Sequence, residues 1–513
     1  MPARPASLLA AFAVWTILFL PSMLAGASPR AVFLLLLSAL LFWPLAVWRP
    51  LRIVSVLFLV ILGAANIVHD GFFGYLIDEF FIASSLRTTS SETREFLTSL
   101  PMGTMVWCAV WLLLCAGIVR FMLRKGNEPN LQGRASQRLA IAALLVWAGF
   151  LGYSHWTGPL DTTTALRKLH IVYPLHIANA GWRQYQITDA LLYTPLLPEP
   201  TPPSPQSQVD TVVVVLGESA SAHRWSLLGY QQAPTNASLQ DIPGLQVARV
   251  LANGLNTAAA LPYVLTGLSA LDSVTHQAPS FIDLAQHAGY KTIVLNNSRY
   301  LRTGEDFLTH ALRRSANVYL KVGDGDYDEV LTPALQTALQ DPAPRKLIVL
   351  HTYGSHVTAA SRYPKTAHQL ADSYDTSIRY TSDLLAQWIR MLDTSSPQQS
   401  ALLLYASDHG VVVPPCSGSS RSGGSLSSYE IPALAWANPV SLAQNAQLLT
   451  PLRQQDPAQV HISNTVIPEM AIQALGYSLQ ALSPTHRPRQ VLLDAEGHPW
   501  EHSKAQLCQG QGT

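Results

Sequence analysis

Five apolar stretches crowd the first 156 residues, and nothing else in the chain limits its fold so strongly. A membrane-spanning helix needs about 20 mostly apolar residues, with some latitude. Leu8–Ala25, Ala31–Val47, Leu51–Val68 and Thr104–Met122 meet that need, and Leu139–Tyr153 is a shorter fifth candidate. The first stretch has the look of a cleaved signal peptide. A second apolar run follows it at once, so the group reads as a helical bundle.

Lys and Arg concentrate in cytoplasmic loops. Arg4, the pair Arg49 and Arg52, and the group Arg120, Arg124, Lys125, Arg134 and Arg138 occupy alternate loops. They therefore share one side, the cytoplasm. The loop between the third and fourth stretches carries Asp70, Asp78, Glu79, Glu92 and Glu95 against Arg87 and Arg94, which places it outside. Five spans then put everything after Tyr153 outside as well. The expectation is a multi-pass membrane protein with its soluble part on the side away from the cytoplasm.

Composition divides in the same way. Hydrophobic residues make up 48% and charged residues 13% of the 513, but the apolar excess sits in residues 1–156. A formal net charge of +1 offers no basic face for nucleic acid. Cys108 and Cys115 read as apolar core residues. Cys416 and Cys508 lie in the soluble part, and whether they pair is left open. Residues 157–208 hold aromatic and apolar residues suited to short bridging helices. They end in the proline-dense run Pro195–Pro205, which favours extended backbone and marks a linker.

From residue 209 to 513 the pattern changes again. Val212–Leu216, Thr292–Leu295, Leu347–Leu350 and Leu402–Tyr405 are short apolar runs. Helical segments such as Ser280–Ala288 and Tyr374–Leu392 separate them. Apolar strands alternating with helices predict a mostly parallel sheet covered on both faces. Ligands bind such sheets at the carboxyl ends of the strands. Here those ends carry Glu218, Asn296–Asn297, His351 and Asp408–His409.

Two carboxylates and an imidazole suit a divalent metal such as zinc. A lone acid after a strand is commonly a helix cap or a salt-bridge partner; the set gains weight because its members share one topological position. In Asn253–Pro262, Asn256 or Thr257 can cap the helix that the alanines begin. A hydroxyl there sits in positive potential among free N–H groups that favour phosphate. Bound to a metal, it becomes a competent nucleophile. His351, His356 and Arg362 add groups able to hold a phosphate, protonate a leaving group or bind a second metal.

These residues resemble a known family. Val212–Ser219 with Leu228–Gly229–Tyr230 and Thr235, then Asn256–Thr257–Ala258, Lys291–Ile293 with Asn296–Asn297, Gly354–Ser355–His356 with Arg362–Tyr363–Pro364, Tyr374–Asp375, and Ser407–Gly410 occur in the order of the phosphoethanolamine transferases of Gram-negative bacteria. Those are membrane-anchored members of the sulfatase and alkaline phosphatase superfamily. The resemblance implies a helical membrane bundle of about five spans followed by an α/β sulfatase-like domain. It implies zinc, one ion or two, on Glu218, Thr257, Asp408 and His409, with Thr257 as nucleophile. Asn256, His351, His356, Arg362 and His461 would contact substrate. Phosphatidylethanolamine would be the donor, Thr257 would carry the group, and a lipopolysaccharide or other surface glycan would accept it.

Two features depart from the family pattern. After Gly410 the chain runs through Val411–Cys416 into a Ser/Gly-rich stretch without the further histidine that relatives often carry. It also has fewer cysteines than members acting on lipid A. Phosphoglycerol transfer on the same scaffold, or an inactive membrane-anchored binding protein, are the alternatives. A sulfatase proper needs a Cys or Ser nucleophile in a Cys/Ser-x-Pro-x-Arg motif, which the Thr257 segment lacks.

Overall fold

The computed structural model describes residues 5–24, 28–73, 90–98, 100–123, 133–156, 172–193, 208–267, 279–298, 307–323, 327–356, 358–395, 397–413, 426–453 and 463–478, with a few short pieces between and after them. His461, Cys416, Cys508 and most of the proline-dense run lie outside the described residues. The chain forms two compact units: residues 1–82 with 100–185, and residues 83–99 with 186–513.

The first unit is helical. Its helices are α1 (Pro5–Ile17), α2 (Pro29–Leu41), α3 (Trp43–Val47), α4 (Arg49–Phe73), α5 (Met102–Leu123), α6 (Arg134–Trp156) and the first part of α7 (Leu175–Tyr193). Arg49–Gly71, Met102–Arg120 and Arg134–Tyr153 are long and apolar enough to cross a bilayer. The first two expected spans are each broken. Pro21 opens a separate 3-10 turn after α1, and Pro44 starts the short α3 after the break at Phe42. Proline lacks the N–H that would continue the helical ladder, so an apolar run containing it divides. Trp15, Phe19, Trp43 and Trp111 fill the interior, while Ile61, Leu113 and Leu145 stay largely exposed on the outside. The Trp111 indole lies against Gly63 and donates to the Val60 carbonyl at 3.1 Å, locking α4 to α5.

The second unit is built on a seven-stranded sheet. Its strands are β1 (Thr211–Gly217), β2 (Leu245–Leu251), β3 (Lys291–Asn296), β4 (Val318–Lys321), β5 (Lys346–His351), β6 (Ala401–Ser407) and β7 (Glu430–Ala437), in the order β2-β7-β6-β1-β5-β3-β4. Only β7 opposes the common direction, pairing antiparallel with β6 and β2. The mostly parallel sheet therefore stands as read from the sequence. The four apolar runs are β1, β3, β5 and β6, and β1, β5 and β6 are buried along their whole length.

Four helices of this unit matter below: α8 (Thr257–Thr266), α9 (Phe281–His287), α10 (Leu331–Leu339) and α11 (Ser373–Ser395). Ser280 and Asp283 form a capping box that starts α9. Trp225, Trp388, Leu385 and Tyr405 belong to the main core, where Trp225 stacks on Tyr405 with ring centroids 5.7 Å apart. Gly217 sits under that Tyr405 ring; a Cβ there would lie 2.6 Å from it. The core thus fixes the end of β1 at the point where Glu218 leaves it.

Candidate metal centre

Parallel strands ending side by side bring distant residues together. Gly217 pairs with Ser407 across β1 and β6, so Glu218 and Asp408 emerge as neighbours. The Asp408 N–H donates to the Gly217 carbonyl at 3.0 Å, and the Ser219 N–H donates to Asp408 Oδ1 at 3.2 Å. Ser219 has a left-handed φ of 56°, a conformation that costs a non-glycine residue some energy and gathers at functional sites. The Tyr374 hydroxyl on α11 holds that turn, donating to the Ser219 carbonyl at 2.6 Å and accepting from the Ser221 N–H at 2.8 Å.

Candidate ligand atoms of Glu218, Asp408 and His409 lie within 4.8 Å of one another. His409 Nε2 is 3.3 Å from Glu218 Oε1 and 3.8 Å from Asp408 Oδ2. On the far side of the ring, Nδ1 donates to the Gly410 carbonyl at 2.9 Å. A carbonyl can only accept, so the outer hydrogen bond fixes the ring and turns Nε2 toward the carboxylates.

Asn256 and Thr257 divide the two tasks that the sequence left open. Asn256 caps α8, its side chain accepting from the Ala259 N–H at 2.9 Å. Thr257 is then the first helical residue, and its hydroxyl donates to Glu218 Oε2 at 2.9 Å. The hydroxyl oxygen thus sits at the positive end of a ten-residue helix and beside the acidic cluster.

Charge decides what this cluster can hold. Burial raises the Asp408 carboxyl and the neighbouring Glu218 charge raises it further, to about 7. Burial opposes a charge on His409, yet Asp408 and Glu218 outweigh it and lift the imidazole to about 9. Burial opposes the Glu218 charge too, but the hydrogen bond and charge of His409 hold that carboxyl well below the usual range. Asp408 Oδ2 is fully buried with no hydrogen-bond partner. A buried carboxylate oxygen without a partner is costly. Two carboxylates, an oriented imidazole and a hydroxyl fit a divalent cation of the zinc type, which would satisfy that oxygen.

The remaining candidates occupy a second bank around β5. His351 ends the strand, buried, with Nδ1 unpartnered; burial pushes it down to about 4, Glu218 opposing and Lys321 adding to the effect. His356 stacks on Tyr353 with centroids 5.1 Å apart, and the Arg362 guanidinium lies 4.3 Å from the centre of the same ring. Arg362 is buried, so its cation rests against an aromatic face rather than reaching solvent.

Asp328 organises this bank and carries no sequence signal, lying in the acid-rich run Asp324–Glu329. Its Oδ1 accepts from the Tyr353 N–H at 2.7 Å and the Asn297 amide at 2.8 Å, and its Oδ2 accepts from the Gly354 N–H at 2.8 Å. Gly354 has φ 49°, and a Cβ there would lie 2.5 Å from the Glu218 carbonyl oxygen. The Ser355 N–H donates to that same carbonyl at 2.9 Å. The loop after β5 is thereby pressed onto the backbone that presents Glu218.

Comparison with known proteins agrees with the resemblance carried by the motifs. The family model for sulfatases matches residues 210–472, just over half of the chain. The Escherichia coli protein YhbX is 32% identical over 246 residues, covering 45% of this chain and 44% of its own. Phosphoethanolamine transferase EptC of Escherichia coli is 27% identical over 267 residues, 44% of this chain and 45% of its own. The chain thus spans a little under half the length of these curated relatives. Among solved structures, the integral membrane lipooligosaccharide phosphoethanolamine transferase A of Neisseria meningitidis superposes with a TM-score of 0.65 at 18% identity. That match covers 93% of this chain and 98% of the other, and shows a common fold through both units. With its sheet order, its strand-end acids and residues 210–472 all of one pattern, the chain belongs to the sulfatase family.

Proposed function

We propose that this protein transfers phosphoethanolamine from phosphatidylethanolamine to a lipopolysaccharide or other surface glycan of the bacterial envelope. Residues 1–156 anchor it in the inner membrane, residues 157–208 bridge, and residues 209–513 carry the chemistry in the periplasm. The observation that carries this reading is the Thr257 hydroxyl, placed by the α8 N-terminus within 2.9 Å of Glu218 at the edge of the Asp408–His409 cluster. Relatives named for the same transfer support the choice of head group.

Glu218, Asp408, His409 and the Thr257 oxygen would hold a zinc-type cation. When bound, that ion supplies Lewis-acid stabilisation of phosphoryl oxygens and lowers the pKa of a coordinated hydroxyl. Glu218 orients the Thr257 oxygen through its hydrogen bond, and the free N–H groups at the start of α8 face the incoming phosphate. The threonine oxygen forms a bond to phosphorus as the bond to diacylglycerol breaks, and the threonine proton ends on the departing alkoxide. An acceptor oxygen then attacks the same phosphorus, and its proton returns to Thr257. His351, held neutral by burial, and His356 line the approach as hydrogen-bonding groups.

Mass spectrometry after exposure to phosphatidylethanolamine tests this directly. A phosphoethanolamine adduct on Thr257 is expected, and Thr257→Ala should abolish turnover while costing only about 1 kcal/mol of stability for the lost hydrogen bond to Glu218. Full turnover in that variant would remove Thr257 as the nucleophile.

A further inference from the structure

Beyond the metal centre, the same end of the sheet bears a cleft of about 460 Å³ lined by Tyr327, Ala360, Ser361, Tyr363, Lys365 and Gln369. Small-ligand sites span roughly 300–1,000 Å³, so the volume suits one compact ligand. Tyr327 follows β4, and the remaining residues follow β5. The cleft therefore lies beyond strand carboxyl ends, where ligands of parallel sheets bind.

Two of its walls adjoin the second bank of the site. Tyr327 precedes Asp328, whose carboxylate holds the Tyr353 and Gly354 N–H groups. Tyr363 follows Arg362, whose guanidinium lies over Tyr353. The cleft thus neighbours, along the chain, the carboxylate that holds the Gly354 loop and the guanidinium that covers Tyr353.

The polar groups of the cleft are partly committed: the Gln369 amide donates to the Ala367 carbonyl at 3.0 Å, while Lys365 is open. Among the described lysines, Lys291 holds Asp341, Lys321 holds the Ser298 carbonyl and Lys346 holds two carbonyls. Lys365 is exposed and has no such partner. Tyr327 remains 39% exposed, unusual for a large ring in this unit. Phenol rings offer an apolar face with a polar tip. A serine hydroxyl and the Gln369 amide oxygen add short-range hydrogen-bonding groups. An unpaired ammonium adds attraction for an anion. Ring faces, hydroxyl partners and one cation together match a sugar ring bearing a phosphate or carboxylate, and match an acyl chain poorly.

We propose that this cleft is the acceptor subsite and binds an anionic glycan residue. The proposal rests on the transfer reaction above and names its acceptor class. Lys365 meets the anionic substituent, and Tyr327 and Tyr363 pack on the sugar ring.

The test uses the full chain in detergent micelles with three probes: glucose 6-phosphate, glucose and inorganic phosphate. Saturation-transfer NMR should show glucose 6-phosphate bound, glucose bound more weakly and phosphate not competing. Lys365→Gln and Tyr327→Ala, both at exposed positions, should each weaken glucose 6-phosphate by about tenfold. Neither should change formation of the Thr257 adduct from phosphatidylethanolamine. Unchanged sugar-phosphate binding in both variants, no binding by the unmodified protein, or competition by phosphate as strong as by the sugar phosphate would each overturn the assignment. Absence of the Thr257 adduct alongside intact, Lys365-dependent sugar binding would instead overturn the transfer reaction and leave a glycan-binding cleft.

Discussion

The two banks of the candidate site solve opposite electrostatic problems. Around β1 and β6, Glu218, Asp408 and His409 crowd charges together in a buried place. Around β5, His351 is kept neutral, and the Arg362 cation is spread over an aromatic face. Clustered charge without solvent is expensive unless something pairs with it. The first bank leaves Asp408 Oδ2 buried and unpartnered, where a cation would pair it, while the second is built on stacking around Tyr353. Under the proposed function this becomes a division of labour: one bank would supply chemistry, and the other shape.

Substitutions can break that division. Asp408→Asn should show the largest effect, removing the cation from the purified protein and lowering kcat/KM about a thousandfold; metal analysis beside a kinetic assay checks both. Equal metal content in the variant and its parent would dissolve the contrast between the banks. Gly354→Ala comes next. The added methyl meets the Glu218 carbonyl at 2.5 Å and the backbone needs a positive φ. A stability loss of about 1–3 kcal/mol is expected, with a fall in kcat that thermal melting and single-turnover assays would separate.

Acidity sharpens the same comparison. The His409 imidazole must lose its proton to offer Nε2 to a cation, and without metal it holds that proton up to about pH 9. Metal affinity should therefore rise with pH, by about tenfold per unit between about 7 and 9 and more steeply below about 7, where Asp408 must also lose a proton. The second bank predicts no such slope, because His351 is already neutral above about pH 4. Calorimetric metal titrations at three pH values would decide; a flat profile would mean that His409 is not a ligand. The smallest effect belongs to Asp328→Asn, which keeps the shape but weakens the hold on Tyr353 and Gly354. About a tenfold loss of activity is expected, with metal content unchanged.

Much of this arrangement can be read in the sequence where one physical signal dominates. Strands β1, β3, β5 and β6 are interior and have apolar centres, so the polar residues at their ends stand out. Strand β2 lies at the edge and mixes Gln246 and Arg249 with its valines. Strand β7 opens with Glu430 and contains Pro432, which argues against an interior strand until its antiparallel pairing is seen. Asp328 was hidden for a different reason. Its importance comes from three N–H groups that converge only after folding. Likewise the sequence permits either Asn256 or Thr257 to cap α8, and only the fold shows the hydroxyl turned to Glu218.

Strand β7 has one more consequence. Because it runs against its neighbours, β6 leaves the sheet and β7 enters it at the same rim, and the Gly410 N–H clasps the Ser428 carbonyl at 2.9 Å where the two strands part. The chain between those residues starts and finishes at one clasp, so its length is uncoupled from strand register. Doubling such an insertion costs only about 0.6 kcal/mol in closure entropy. Evolution can therefore trim or extend this one segment while leaving the seven-stranded frame as it is.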